Sequence, residues 1–141
     1  MTGVVAFAIG LFLAVGAAFH FYWAFGGRMG WRVAVPQKRD GTPLFVPRAA
    51  ATFTVGIVMT AMIAFLSAVV LKIEVPVSHG LMRAGTCLLG IVFLARGLSW
   101  HPYAGLFKSV KDTDFGRKDT LFYSPGCVAV GLGFLFLAWV D

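Results

Sequence analysis

Charge is what this chain has least of. Only 13% of its 141 residues are Asp, Glu, Lys or Arg, against about 25% in an ordinary soluble domain. With 59% of the residues hydrophobic, that scarcity excludes a water-soluble globule. Mean hydropathy is +0.84. The two cysteines, Cys87 and Cys127, each lie inside an apolar stretch and form neither a disulfide framework nor a metal motif. His20, His79 and His101 fall on three different segments, so no metal site is expected. No glycine-rich phosphate loop is present and no cofactor is expected. No charged side chain precedes Arg28, so the basic leader of a cleavable signal peptide is missing and the first apolar segment reads as a retained helix.

What the chain does have is apolar length. Its hydrophobic share amounts to about 83 residues, and a membrane-spanning helix takes roughly 20, so four spans are expected. These spans lie at about 3–26, 49–71, 81–99 and 120–140, and together they make residues 1–141 a single transmembrane domain. The expected fold is all-α, an integral membrane four-helix bundle with no room for a separate soluble domain. The third span is the weakest, because only 12 residues separate Arg83 from Arg96. It crosses a core of about 30 Å only if the arginines belong to the helix and reach towards the interfaces.

Twelve basic residues against six acidic ones would point a soluble protein towards nucleic acid. In a membrane protein they report orientation instead, and no nucleic-acid partner is expected. Arg28, Arg32, Lys38, Arg39, Arg48, Arg96, Lys108, Lys111, Arg117 and Lys118 fall in or beside the first and third loops, whereas only Lys72 and Arg83 lie at the opposite end. This bias places both termini on the outer side of the inner (plasma) membrane. Small residues recur every four positions in span one (Ala6, Gly10, Ala14, Ala18) and in span two (Thr52, Gly56, Thr60, Ala64, Ala68). Such stripes let helices approach closely in lipid, so spans one and two are expected to pack together.

Polar residues gather at the basic ends of three spans: His20, Tyr22 and Arg28 on the first, Arg96 on the third, and Asp119, Tyr123 and Ser124 where the fourth begins. Ionisable groups cost about 2.5–3.5 kcal/mol at the middle of a span, so they should pair or face a cavity. Arg96 with Asp119 is the expected pair, and His20 lies at a depth within reach of either, or of Tyr123. One reading is a pocket for a lipid head group or small anionic ligand, and the other is an interhelical clamp. Pro125 leaves two readings of the last span. Either the helix starts at Ser124 as its cap with Pro125 in the first turn, or one helix runs from Asp119 and kinks at Pro125.

The string Trp100-His101-Pro102-Tyr103-Ala104-Gly105 resembles part of the His-Pro-x-Tyr region of membrane methyltransferases of the isoprenylcysteine and phospholipid type. Trp100 replaces that family's arginine and the later acidic residues are missing, so an enzyme is the third reading. A plain interfacial turn at Pro102 is the alternative for these residues. No span carries a full-length polar row, which argues against a channel.

His20-Phe21-Tyr22-Trp23-Ala24 with Gly26-Gly27-Arg28, then Arg96-Gly97, then Phe115 with Asp119 and Tyr123-Ser124-Pro125, resembles the small bacterial membrane proteins of domain of unknown function family 3995. The resemblance covers almost the whole chain, with Asp-x-x-x-Tyr-Ser-Pro its most specific element. Gly126 stands where that family often has leucine. It implies a four-helix integral membrane protein and supplies no activity. The functional expectation is a binding or accessory protein whose polar cluster holds a head group, a metabolite or a partner membrane helix. The second is an immunity protein against a membrane-targeting toxin.

Overall fold

The computed structural model describes residues 1–140, and all regular structure among them is helical. Helix α1 covers Thr2–Ala24, the single turn α2 Trp31–Ala34, α3 Ala49–Val70 and α4 His79–Gly97. The last helical path starts with α5 at Asp114–Lys118, passes through a π-turn at Asp119–Tyr123 and continues as α6 over Ser124–Val140. Four stretches are long and apolar enough to cross a membrane: Thr2–Ala24, Ala49–Val70, His79–Gly97 and Asp114–Val140. The arginines do belong to the third. Its 19 residues run from a cap at Ser78, whose hydroxyl accepts from the Leu81 N–H, to one residue past Arg96.

The last span departs from both expected readings. It begins at Asp114, six residues before 120, with Thr113 Oγ1 accepting from the Gly116 N–H as its cap. Ser124 caps nothing, and the helix neither starts nor breaks there. Proline lacks the N–H that would bond four residues back, and its ring crowds that carbonyl. The chain meets this by widening just before Pro125, where the Ser124 N–H bonds to the Asp119 carbonyl in an i→i+5 turn.

Helix α1 packs along α3 and α4 along α6, with α1 and α6 joining the two pairs. The shared core contains Ile9 and Leu13, Leu66, Phe93, and Cys127, Val130, Phe134 and Leu137. Phe93 stacks on Phe134 at 6.1 Å and meets Phe12 edge-on at 6.4 Å. The small-residue stripes are only partly used. Gly10 lies against Leu66, and Gly56 is buried under Phe21. Ala6 is half-buried, but Ala14, Ala18, Thr60 and Ala64 are exposed. A four-residue repeat turns through about 400°, so a straight stripe drifts out of an interface within a few steps. The closest backbone approach is between α4 and α6. A Cβ on Gly131 would meet the Gly90 carbonyl at 2.8 Å, and one on Gly97 would meet the Ser124 carbonyl at 2.9 Å. Hydroxyls inside the spans are satisfied within their own helices, as where Thr52, Thr60 and Thr86 each donate to the carbonyl four residues back.

The first and third loops meet at one end of the bundle, called here the basic end. Loop one forms a small turn between Gln37 and Pro43, and Gln37 is buried with its Oε1 accepting from the Phe115 N–H at 3.2 Å. Beside it, Arg32 donates to Asp114 at 3.2 Å on the exposed surface.

Candidate functional site

Asp119 is the centre of the basic end. It is fully buried, and the π-turn decides what it can touch. In an α-helix, positions five apart lie about 140° apart around the axis, whereas an i→i+5 turn stacks them. Ser124 can therefore donate to Asp119 Oδ2 at 3.0 Å. Asp119 Oδ1 accepts from Arg96 Nη2 at 2.8 Å, linking α4 to the last span. Gly97, next to Arg96, admits the α6 backbone at that level because it has no Cβ.

The remaining partners come from the third loop. Gly105 donates its N–H to Asp119 Oδ2 at 2.9 Å from a left-handed conformation, φ +100°, which glycine adopts without strain. Lys108 Nζ lies 3.0 Å from the same oxygen. The lysine is 1% exposed and also donates to the Gly105 carbonyl at 3.1 Å and to Thr120 Oγ1 at 2.6 Å. No buried side-chain nitrogen or oxygen among the described residues lacks a partner. The cluster therefore holds two cations and one anion, an excess of one positive charge. Of the three, only Arg96 has exposed surface, its side chain being 37% accessible against 0% for Lys108 and Asp119.

Of the residues expected to converge here, Arg96, Asp119 and Ser124 do so. His20 does not: its Nδ1 lies 2.7 Å from the Gly16 carbonyl and its ring packs edge-on against Trp23. Depth along a helix is legible in a sequence, but the direction a side chain takes around the bundle is not, and His20 faces loop one and α3. Tyr22 is exposed, covers Gly27 and accepts from the Met29 N–H at 3.4 Å. Arg28 is also exposed. Tyr123 packs its ring against Phe115 at 6.0 Å. Lys108 was not among the expected site residues. Its one sequence signal is being a lone charge between Leu106-Phe107 and Val110, and its burial depends on how the loop folds.

The Trp100–Gly105 string forms a turn. Ser99 Oγ accepts from the His101 N–H at 3.0 Å, His101 Nδ1 accepts from the Tyr103 N–H at 3.3 Å, and Trp100 stacks on Phe107 at the surface. In loop one the Asp40 carboxyl is held below the usual carboxylate range, chiefly by the Thr42 hydroxyl and then by the Thr42 N–H. No three His, Cys, Asp or Glu side chains converge among the described residues. A second feature of the basic end is a cavity of about 250 Å³ between α1, loop one and α3.

Four apolar helices closed at one end by two interlocked basic loops define a helical bundle of the membrane-spanning class. The chain belongs to the family described as protein of unknown function (DUF3995), whose model matches residues 12–134. That match takes in every member of the Asp119 cluster. No curated protein and no solved structure matches the chain.

Proposed function

We propose that this is a multi-pass binding or accessory protein of the inner (plasma) membrane, with both termini outside, that holds an anionic head group at the cytoplasmic end of its bundle through Arg96. The orientation follows from ten of twelve basic residues lying at that end. The observation that carries the ligand is the charge count of the buried cluster. Both Arg96 and Lys108 pair with Asp119, so the cluster carries one positive charge in excess, and of its two cations Arg96 is the one with a surface. Of a guanidinium's five N–H donors, Asp119 and Ser124 take one each. The rest of the planar fork suits a phosphate, and basic sites between helices on the cytoplasmic side are where anionic lipid head groups bind. On this reading clamp and anion contact are two parts of one cluster: Asp119 bonds Lys108, Ser124 and the Gly105 N–H, and the same carboxylate holds Arg96, whose side chain is the exposed member.

The test is native mass spectrometry of the full-length protein released from nanodiscs of phosphatidylcholine with phosphatidylglycerol. The wild type should retain phosphatidylglycerol preferentially, and Arg96→Gln should reduce that preference about tenfold. Displacement by millimolar inorganic phosphate would assign the site to a free anion rather than a lipid. Equal retention by both proteins overturns the reading.

A further inference from the structure

Helices α3 and α4 follow one another in the chain yet hardly meet. They touch in the outer half of the bundle, where Gly85 leaves room for the Phe65 ring: a Cβ on Gly85 would stand 3.1 Å from it. That contact fixes the register of the two antiparallel helices. Counted from it towards the basic end, Ala61 lies level with Leu89, Val58 with Val92 and Thr54 with Arg96. Steps of four, seven and eleven residues return a helix to within about 40° of its starting direction. Leu89, Val92 and Arg96 therefore share the face on which Gly85 meets α3, and Ala61, Val58 and Thr54 share the face of Phe65.

These facing positions are not closed against each other. Phe65, Gly85 and Leu89 are half-buried, but Ala61 and Thr54 are exposed, Val58 is 45% exposed and Val92 50%. The helices thus part below the Phe65–Gly85 contact and leave an apolar crevice, open towards lipid, with Arg96 at its mouth. Its length selects the occupant. From Gly85 to Arg96 is about 16 Å of helix, close to half of a hydrocarbon core of about 30 Å, so the crevice spans one leaflet and stops. A partner transmembrane helix is about 10 Å wide and must cross the whole core, which would require Phe65 to leave Gly85. An empty crevice would forfeit the dispersion contacts of both walls. One acyl chain matches the length and asks nothing of the walls, where the Thr54 hydroxyl already donates to the Ala50 carbonyl at 2.9 Å. The N–H donors that Arg96 keeps beyond Asp119 and Ser124 then decide which head group that chain carries.

Building on the anion contact proposed for Arg96, we infer that the crevice between α3 and α4 holds one acyl chain of the anionic phospholipid whose phosphate meets Arg96. The ligand is then a lipid of the cytoplasmic leaflet, bound by chain and head group together, and not a free anion.

The experiment fills the crevice without touching the cluster. Ala61 is exposed, so the fold tolerates Ala61→Trp, and it lies about 10 Å along α3 from the level of Arg96. Native mass spectrometry of the full-length protein released from phosphatidylcholine–phosphatidylglycerol nanodiscs should show Ala61→Trp retaining phosphatidylglycerol about tenfold less than wild type. Leu132→Trp, on the exposed surface of α6, should retain it as wild type does. Wild type should also keep its phosphatidylglycerol in millimolar deacylated phosphatidylglycerol, the head group without chains. Full retention by Ala61→Trp with loss in Arg96→Gln, or displacement by the deacylated probe, overturns the chain site and leaves the anion contact standing. Equal retention by wild type and Arg96→Gln overturns both.

Discussion

At the scale of single residues, Asp119 is paired with two cations of unequal kind. Lys108 is wholly enclosed and Arg96 is partly open. Removing the carboxylate leaves the lysine buried without a counter-charge, and breaking a buried pair in that way costs about 3–5 kcal/mol. Asp119→Ala should therefore lower the thermal midpoint in detergent steeply. Arg96→Gln leaves the Lys108–Asp119 pair in place and should cost about 1 kcal/mol. If the two variants are equally unstable, Arg96 and not Lys108 is the neutralising partner. The charge exchange of Arg96→Asp with Asp119→Arg should not restore stability, since it sets a second cation beside Lys108 in a closed site. The Arg96–Asp119 contact was legible in the sequence because both residues lie at one depth on neighbouring spans. Lys108 was not, since in a linear reading it is one more basic residue of a basic loop. In loop one, Asp40 keeps its lowered pKa through Thr42. Its contribution is present above the ordinary carboxylate pKa and is lost as pH falls through the depressed value. Thr42→Val should raise the Asp40 pKa in a side-chain NMR titration.

At the scale of elements, Ala49–Val70 lies within one residue of the apolar run bounded by Arg48 and Lys72, and His79–Gly97 within two of the expected 81–99, with both arginines inside the helix. The start of the last span is not legible in this way, because the helix begins at Asp114 in a polar stretch, capped by Thr113 and tied to loop one through Gln37, with no hydrophobic run to mark it. Sequence alone also favours the alanine stripes of the first two spans, because a stripe is visible in one chain. The α4–α6 contact depends on single glycines at matching heights on two helices, Gly90 with Gly131 and Gly97 with Ser124, and that matching exists only in three dimensions. Gly131→Ala should therefore destabilise the bundle by about 1–3 kcal/mol, because the atoms it meets are backbone and cannot yield. Ala14→Leu, on an exposed position, should stay within about 0.5 kcal/mol of wild type. Chemical denaturation of the two variants in the same detergent separates the cases, and equal losses would mean that Ala14 is also covered by a helix.

At the scale of the whole molecule, one end of the bundle is built differently from the other. The basic end is tied by Gln37 to Phe115, by Arg32 to Asp114 and by the Asp119 cluster, so both loops and the last span share one assembly. Residues 71–80 at the opposite end are all exposed. That asymmetry suits a protein whose contacts with charged lipid lie on one face. A single cysteine introduced at Lys111, in a background with Cys87 and Cys127 replaced by alanine, should be shielded from a membrane-impermeant thiol reagent in intact cells, and one at Val77 should react. The reverse pattern would invert the proposed orientation.

The claim that Arg96 holds an anionic head group is tested most directly by solid-state NMR of the reconstituted protein, recoupling the guanidinium carbon of labelled arginine to lipid phosphorus. The expected result is contact-range dephasing of the Arg96 signal in bilayers containing phosphatidylglycerol, assigned by its disappearance in Arg96→Gln. Dephasing confined to exposed arginines such as Arg28, with none at Arg96, would contradict it and leave the cluster as a clamp alone.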